Sequence, residues 1–545
     1  MMSKSRRESV LTAINQLALV VVFAATLSLT FLDHDFFALA WVAFVPLLIA
    51  VDSISVFRTY ALGLLAGFVL FALGSYWVAD FVSLSKGFTG LTSVALAGAS
   101  WIYSAHLIAF ILLAYRWLKE HSKLHEFVLF PAVFVGFTAW FPMLFLFQIG
   151  ETQVKFTIAL QGLDLVGVAG LNALIALSNV VFFRLCKSRF RKRTLLWRDR
   201  ATSIPFFVSF LVLALWFVYG AIQLNNWEQE SSSWSTVKVG LVQPNESPRL
   251  GKRSTYSGYG DAYPPEMDMT ERLRHSGAEV IVWPEGQAKN YLNHSGVRTA
   301  YLRNVTKLGV DLIFQDTQRT KDKSTGRIVA QHNSAVMINS AGQESGVYRK
   351  MKLIPFGEYI PFIERDSFFR PWAEDVIGEF LSEISAGESN TVFVTEKVTM
   401  LPLICYETTF SRFVANAVNK QVLQQRTAKP GVLLGMSNDG WFGDTHQPFI
   451  HIMGSVLRSV ENRLPLVHVA NNGPSIVVSP SGKVLFRTAF RQSGGYIFDV
   501  PFNSENAGTF YTRHPYLIEV MVFVILLFSL MKGAISRVTA RSFAR

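Results

Sequence analysis

The chain has 545 residues, enough for more than one domain, and half of them are hydrophobic. The apolar residues crowd the first 222 positions and a closing stretch at 516–531, which excludes a single soluble globule. The net charge of +12 collects at the flanks of these apolar stretches, so it reads as membrane topology and not as a nucleic-acid surface.

A hydrocarbon core about 30 Å thick takes roughly 20 apolar residues per helix. Seven candidate spans precede the polar segment, at 10–31, 36–51, 60–78, 91–113, 127–147, 166–183 and 204–222, and an eighth lies at 516–531. The second and the last of the seven are short, as partly interfacial segments are. The first is too long for a cleavable signal and is followed by further spans.

Lys4, Arg6 and Arg7 precede the first span; Arg58, then Arg116, Lys119 and Lys123, fall in alternate loops. Residues 184–200 hold eight basic residues and four more follow the last span, whereas the intervening short loops carry only Lys86 and Lys155. Basic loops stay on the cytoplasmic side. The expected organisation is a seven-span bundle over 1–222, an extramembrane domain outside the cell membrane over 223–514, and a C-terminal span with a cytoplasmic tail over 515–545.

Within the outer segment, short β-rich runs alternate with amphipathic stretches. Strands are expected at 237–242, 279–283, 311–314, 335–339, 392–395, 399–404, 432–436, 466–470, 476–479 and 483–486. Helices are expected at 265–275, 409–418 and 446–463, with another helix-like stretch before residue 311. Strands alternating with helices predict a layered α/β domain whose site lies beyond the carboxyl ends of strands. Glu285 and Cys405 both occupy that position.

Cys405 is the only cysteine of the polar segment; the other, Cys186, lies in the basic run. It therefore has no internal disulfide partner, and outside a bacterial inner membrane it would meet an oxidising compartment. A lone cysteine is most often a small buried hydrophobe. A reactive one needs a base and a positive charge near the developing oxyanion.

Glu285, after the rigid Trp283-Pro284 turn, fits a partly desolvated general base, though a strand-end Glu is more often a solvated charge or a cap. Lys350 fits an oxyanion partner that also lowers a thiol pKa. Its bland reading is a surface strand, and spacing alone does not choose between Lys350 and Lys352. His446 and His451 are poorly spaced for a metal, no Gly-x-Ser-x-Gly elbow is present, and neither a metal nor a cofactor is called for.

Trp-Pro-Glu285, Lys350 followed by Leu-Ile-Pro-Phe-Gly-Glu358, and Ile-Cys405-Tyr-Glu407 resemble the Glu-Lys-Cys triad of the nitrilase (carbon–nitrogen hydrolase) superfamily. Ser437-Asn-Asp-Gly-Trp-Phe-Gly443, Arg458-Ser-Val-Glu-Asn-Arg-Leu-Pro465 and Asn472-Gly-Pro-Ser475 look like the membrane-bound apolipoprotein N-acyltransferase branch. So does the layout of spans, which extends the resemblance over essentially the whole chain. The implied fold is a bundle of about eight transmembrane helices plus a nitrilase-like αββα sandwich.

The implied chemistry is a two-step exchange. Cys405, deprotonated by Glu285, takes an acyl chain from a phospholipid, typically phosphatidylethanolamine, with Lys350 at the oxyanion. The thioester then passes that chain to the α-amine of a diacylglyceryl-cysteine lipoprotein. The resemblance selects Lys350 over Lys352 and implies supporting roles for Glu358, Tyr406, Glu407 and Trp441. Phe356, Tyr359, Phe362, Phe368, Phe369 and Trp372 read equally as a lid at the lipid interface or as core.

Two departures from the family pattern lie where substrate would enter. They are Glu246-Ser-Pro-Arg-Leu-Gly-Lys in place of a Lys-Trp pair, and Gly286-Gln287 after the acid. The alternatives are a membrane-tethered amidase, an acyltransferase with another amine acceptor, or a non-enzymatic multi-span protein in which Asp164 and His106 line a pathway.

Overall fold

The computed structural model describes residues 4–543 except 53, 89, 123, 191–199, 248–256, 287–288, 362, 364–366, 372–383, 425–428 and 506, with backbone alone at a few helix ends. The chain falls into two units. One comprises residues 1–79, 90–223 and 514–545, and the other 80–89 and 224–513.

Among the described residues five helices are long and apolar enough to cross a bilayer: Leu11–Leu32, Val56–Gly74, Leu91–His121, Leu163–Ser188 and Ser203–Ser232. Small residues set one of their contacts. A Cβ at Gly67 would lie 2.6 Å from the Ala105 carbonyl oxygen, and one at Gly63 would lie 2.8 Å from Ala109 Cα. The Gly63/Gly67 and Ala105/Ala109 pairs thus let two backbones approach, as helices lacking a hydrophobic drive to associate require.

Of the eight expected spans, the second, expected to be short and partly interfacial, and the fifth depart from a single long helix. The stretch expected at 36–51 is a 3-10 helix, His34–Trp41, followed by the short helix Phe44–Ala50. The stretch expected at 127–147 is helical only over Glu126–Trp140. Irregular backbone in an apolar setting needs internal hydrogen-bond partners. Helix Leu163–Phe190 supplies them from polar side chains on its buried face. Asn179 Nδ2 donates to the Ala40 carbonyl at 2.9 Å, and its Oδ1 accepts from the Phe44 N–H at 2.7 Å. Ser178 Oγ donates to the Trp41 carbonyl at 3.0 Å, and Asn172 Oδ1 accepts from the Gly150 N–H at 2.8 Å. Asp164 accepts from Tyr219 OH at 3.1 Å, and His106 Nδ1 contacts the Ile102 carbonyl of its own helix at 2.8 Å. The last span, expected at 516–531, falls in helix Leu517–Phe543.

The second unit holds twelve strands: β1 Ser235–Gln243, β2 Val280–Val282, β3 Asp311–Lys321, β4 Ile328–Ile338, β5 Glu344–Arg349, β6 Phe393–Val394, β7 Thr399–Ile404, β8 Val432–Ser437, β9 Leu466–Ala470, β10 Ile476–Val478, β11 Val484–Arg487 and β12 Gly494–Phe502. They form two six-stranded sheets, ordered β12-β1-β2-β3-β4-β5 and β11-β10-β9-β8-β7-β6. The centres β1-β2-β3 and β7-β8-β9 are parallel. Period-two alternation sorts the side chains into layers. Val239, Val282, Ile313, Met400, Leu434 and Val467 fill the space between the sheets. Ile281 and Leu312 face the other way, into a second core with Met267 and Leu273 of helix Pro265–His275 and with Tyr301 and Val305 of helix Ser295–Leu308. On the opposite side helices Ser411–Gln424 and Gln447–Asn462 pack on each other, the latter also on β9. The domain is an αββα sandwich.

Two motifs clamp the sheets at one end. Gln243 Oε1, at the end of β1, accepts from Thr488 Oγ1 at 2.6 Å and from Ser475 Oγ at 3.0 Å. Asn472 Nδ2 donates to Asn245 Oδ1 at 3.0 Å. A further correction concerns residues 79–90, expected as a short loop: they are largely the end of helix Trp77–Lys86, and they belong with the sandwich from Asp80 onward.

Candidate functional site

Three chain segments end at one place. β2 ends at Val282, and Trp283 anchors the turn after it: its N–H donates to the Ile313 carbonyl at 2.9 Å and its indole Nε1 to Thr270 Oγ1 at 2.9 Å. Pro284 then delivers Glu285 at the carboxyl edge of the first sheet. β7 ends at Ile404, and Cys405 turns the chain into a 3-10 helix, Cys405–Thr409, with a left-handed φ of 51°. β5 ends at Arg349, and the Lys350 N–H donates to the Asn333 carbonyl of β4 at 2.8 Å.

Glu285, Lys350 and Cys405 meet there, all three buried. Cys405 and Glu285 line the same cavity, and the Glu285 charge acts directly on the thiol. Lys350 Nζ lies 3.8 Å from Glu285 Oε1 and 3.0 Å from Glu358 Oε1. Glu358, on the Pro355-Phe-Gly-Glu turn, also accepts from the Ile354 N–H at 2.9 Å. Lys350 is thus gripped by two carboxylates.

Two residues that the sequence reading missed complete the grip. Asn333 Nδ2 donates to Glu285 Oε1 at 2.6 Å and to Glu358 Oε1 at 3.1 Å, and its Oδ1 accepts from Gln315 Nε2 at 2.9 Å. The Asn438 N–H donates to Glu285 Oε2 at 3.1 Å. The signal for Asn333 was an amide two positions before an apolar run; for Asn438 it was the Ser-Asn-Asp-Gly turn, already read as a motif but given no role.

Burial raises the Glu285 pKa, and the Glu358 charge adds to that against the opposing ammonium of Lys350. Burial and the Glu285 charge push the Cys405 thiol well up, while Lys350 pulls it down. For Lys350 burial alone would favour the neutral amine, but the Glu358 and Glu285 carboxylates outweigh it and keep the side chain an ammonium. An acid, a cation and a thiol in one dry cluster can move a proton from sulfur to carboxylate and hold a nascent oxyanion.

A cavity opens onto Glu285, Lys350, Glu358 and Cys405, with Trp441 and Phe81 on its wall. Phe81 stacks on Phe442 with ring centroids 5.6 Å apart. Tyr406 and Glu407 do not line it. Tyr406 packs edge-on against Phe410, with centroids 4.8 Å apart. Glu407 is fully buried and fastens two strand ends together. Its Oε1 accepts from Tyr348 OH at 2.7 Å, the Met351 N–H at 2.7 Å and the Lys352 N–H at 3.1 Å, and its Oε2 accepts from the Ile404 N–H at 2.7 Å. Glu407→Gln turns an amide donor toward N–H donors. It is expected to cost about 2–4 kcal/mol, read as a lowered midpoint of thermal unfolding in detergent.

Lys352 points elsewhere, its Nζ over the Phe410 and Phe413 rings at 5.8 Å from each centroid. Of the six aromatics expected as lid or core, Phe368 and Phe369 are 91% and 62% exposed. Phe356 and Tyr359 are half-buried, and Phe362 and Trp372 lie outside the described residues, as do Gln287 and most of the loop after Asn245. The Arg458-to-Pro465 motif is structural. Arg458 Nε pairs with Glu461 Oε2 at 2.7 Å and Nη1 donates to the Thr409 carbonyl at 3.1 Å, tying the helix to the segment after Cys405.

Residues 266–505 match the carbon–nitrogen hydrolase family, which is the class of the sandwich. Residues 23–181 match the apolipoprotein N-acyltransferase N-terminal domain. With both matches in one chain, the protein is similar along most of its length to the apolipoprotein N-acyltransferases. An apolipoprotein N-acyltransferase of Geobacter metallireducens is 26% identical across 86% of this chain and 85% of its own length. One from Chlorobaculum tepidum is 26% identical across 88% and 89%. One from Agrobacterium fabrum reaches 30% identity across 47% and 46%.

Proposed function

We propose that the protein is an apolipoprotein N-acyltransferase that works through a thioester on Cys405. The observation that carries this reading is the cluster itself: a buried thiol, a carboxylate of raised pKa and an ammonium lining one cavity with aromatic walls.

Glu285 takes the thiol proton, and the thiolate attacks the ester carbonyl of a phospholipid, phosphatidylethanolamine being the expected donor. The Lys350 ammonium stabilises the tetrahedral oxyanion. On collapse the carbon–oxygen bond breaks, the departing lysophospholipid oxygen takes the proton back from Glu285, and the acyl chain stays on sulfur. The α-amine of a diacylglyceryl-cysteine then attacks the thioester. Glu285 accepts a proton from nitrogen and returns it to the leaving thiolate, so the second half restores the starting state with an amide formed.

Glu358 and Asn333 are positioning residues that hold Lys350 and Glu285 in register. Trp441 lines the acyl pocket. Both substrates are lipid-anchored, so an enzyme tied to the bilayer keeps its site near their reacting groups. We assign the apolar helices to a multi-pass inner-membrane domain and the sandwich to the periplasmic side, following the distribution of basic loops. The exposed Phe368 and Phe369 suit the headgroup interface.

Intact-mass analysis after mixing the purified protein with phosphatidylethanolamine alone tests the first half-reaction. A fatty-acyl adduct is expected on the wild type and none on Cys405→Ser. Adding a diacylglyceryl lipopeptide should discharge the adduct onto the peptide amine. Release of free fatty acid without any need of lipopeptide would replace this reading with a membrane-tethered amidase.

A further inference from the structure

His451, on helix Gln447–Asn462, is buried against the back of the nucleophile and takes no part in the steps above. Its Nδ1 lies 2.8 Å from Asp439 Oδ1 and its Nε2 lies 3.1 Å from the Cys405 carbonyl oxygen. A carboxylate and a carbonyl can only accept. For both contacts to be hydrogen bonds, both ring nitrogens must carry hydrogen; the Thr408 hydroxyl, 3.5 Å from Nε2, gives its own proton to the same carbonyl at 3.2 Å and leaves Nε2 a donor, so the state that fits is the imidazolium.

His468, with its ring centroid 5.2 Å away, is the contrast. Its nitrogens face Ser455 Oγ at 2.7 Å and Ser437 Oγ at 2.8 Å, hydroxyls that either donate or accept, so a neutral ring is satisfied. The surrounding charges agree. Burial opposes protonation of His451, but Asp439, the Cys405 carbonyl and Glu285 hold its pKa above the usual value. Burial and the neighbouring His451 hold His468 down at about 3. Asp439, Glu285 and His468, each from a different element, are titratable groups acting on His451, and Cys405 acts through its carbonyl.

We propose that His451, fixed by Asp439, is the positioning residue of the nucleophile: as an imidazolium it grips the Cys405 carbonyl, holds that residue in its left-handed conformation and adds a positive charge one peptide away from the thiol. A non-glycine residue at φ 51° is strained and persists only where its surroundings over-determine it. Here Glu407 fixes the preceding N–H, while His451 and Thr408 Oγ1, at 3.2 Å, fix the carbonyl. Because a trans peptide points its C=O and N–H in opposite directions, holding this carbonyl on His451 turns the Tyr406 N–H away from the helix. The added positive charge opposes the effect of burial on the thiol and offsets the Asp439 carboxylate, which pushes the thiol up.

The inference rests on the acyltransfer reading but is tested through the thiol alone. The rate of Cys405 alkylation by iodoacetamide is measured against pH for wild type, His451→Gln and Asp439→Asn, beside thermal unfolding and thioester formation from phosphatidylethanolamine. Gln keeps a donor for the carbonyl and loses the charge; Asn removes the charge that holds the ring. His451→Gln is expected to shift the alkylation profile up by about one pH unit and to form thioester about tenfold more slowly, whereas Asp439→Asn, which also removes a carboxylate that raises the thiol, shifts the profile less. Both variants break a buried pair and lower the unfolding midpoint, which the thermal scans record separately. An alkylation profile of His451→Gln identical to wild type would overturn the proposal. A shifted profile in a protein whose wild type forms no thioester would uphold the positioning role and sink the acyltransfer reading instead.

Discussion

Lys350→Met is expected to lower the rate of thioester formation on the order of 10³-fold, measured as single-turnover acylation by phosphatidylethanolamine. Removing one oxyanion donor alone costs about 10²–10³ in rate. Here the same side chain also pulls down the thiol pKa, so its loss leaves fewer thiolates. The variant confronts Glu285 and Glu358 across an apolar gap, and breaking a buried pair this way costs about 3–5 kcal/mol of stability. Lost folding and lost chemistry are separated by adding Glu358→Gln, which removes one of the two stranded charges. The double variant is expected to recover much of the unfolding midpoint and none of the acylation rate. Acylation restored in the double variant would mean that Lys350 serves the fold and not the oxyanion.

The same contrast between charge and backbone decides what could be read from the sequence. The buried parallel strands were legible because each is a short continuous apolar run; β7 and β9 begin and end where that pattern begins and ends. Helix Pro265–His275 was equally legible, with Pro at its first turn, acids after it and basic residues at its end. β5 and β12 were not expected as strands. Glu344–Arg349 pairs antiparallel with β4 at a sheet edge and is polar, and β12 carries two glycines and Pro501, residues that weaken a strand signal.

In the first unit hydropathy located the apolar stretches but not their conformation. Phe36 to Val51 is apolar enough for a helix, yet the polar side chains that stabilise its irregular backbone, the Asn179 amide and the Ser178 hydroxyl, lie more than a hundred residues away. At the site, the motifs brought forward the side chains that carry charge, Glu285, Lys350, Cys405 and Glu358. They missed the amides that register those charges. Asn333 reaches two carboxylates only because antiparallel pairing sets β4 beside both β3 and β5. His451 was weighed only as a metal ligand, since its partners Asp439 and Cys405 come together through the fold.

Glu285→Gln is expected to slow thioester formation by about 10²–10⁴, the usual contribution of a positioned general base. Its stability should move differently from its activity. The cluster of Glu285, Glu358 and Lys350 holds two acids against one cation, and burial raises the Glu285 pKa in the fold above its ordinary value of 4.5. A carboxyl of raised pKa keeps its proton longer in the folded than in the unfolded chain. Its contribution to stability is therefore full below the unfolded value and is lost as pH rises through the folded one. Gln does not titrate, so the unfolding midpoint of Glu285→Gln relative to wild type should climb as pH is raised from about 4.5 toward 8. The hydrogen bond that the amide forfeits to Asn333 or Asn438 offsets the whole curve, by about 1–3 kcal/mol, without changing its slope. In the wild type the acid limb of acylation should fall above the ordinary glutamate range, where the folded carboxylate takes up its proton. A flat difference in midpoint across that interval, together with acylation within tenfold of wild type, would remove Glu285 as the base and leave the thiol proton to another group.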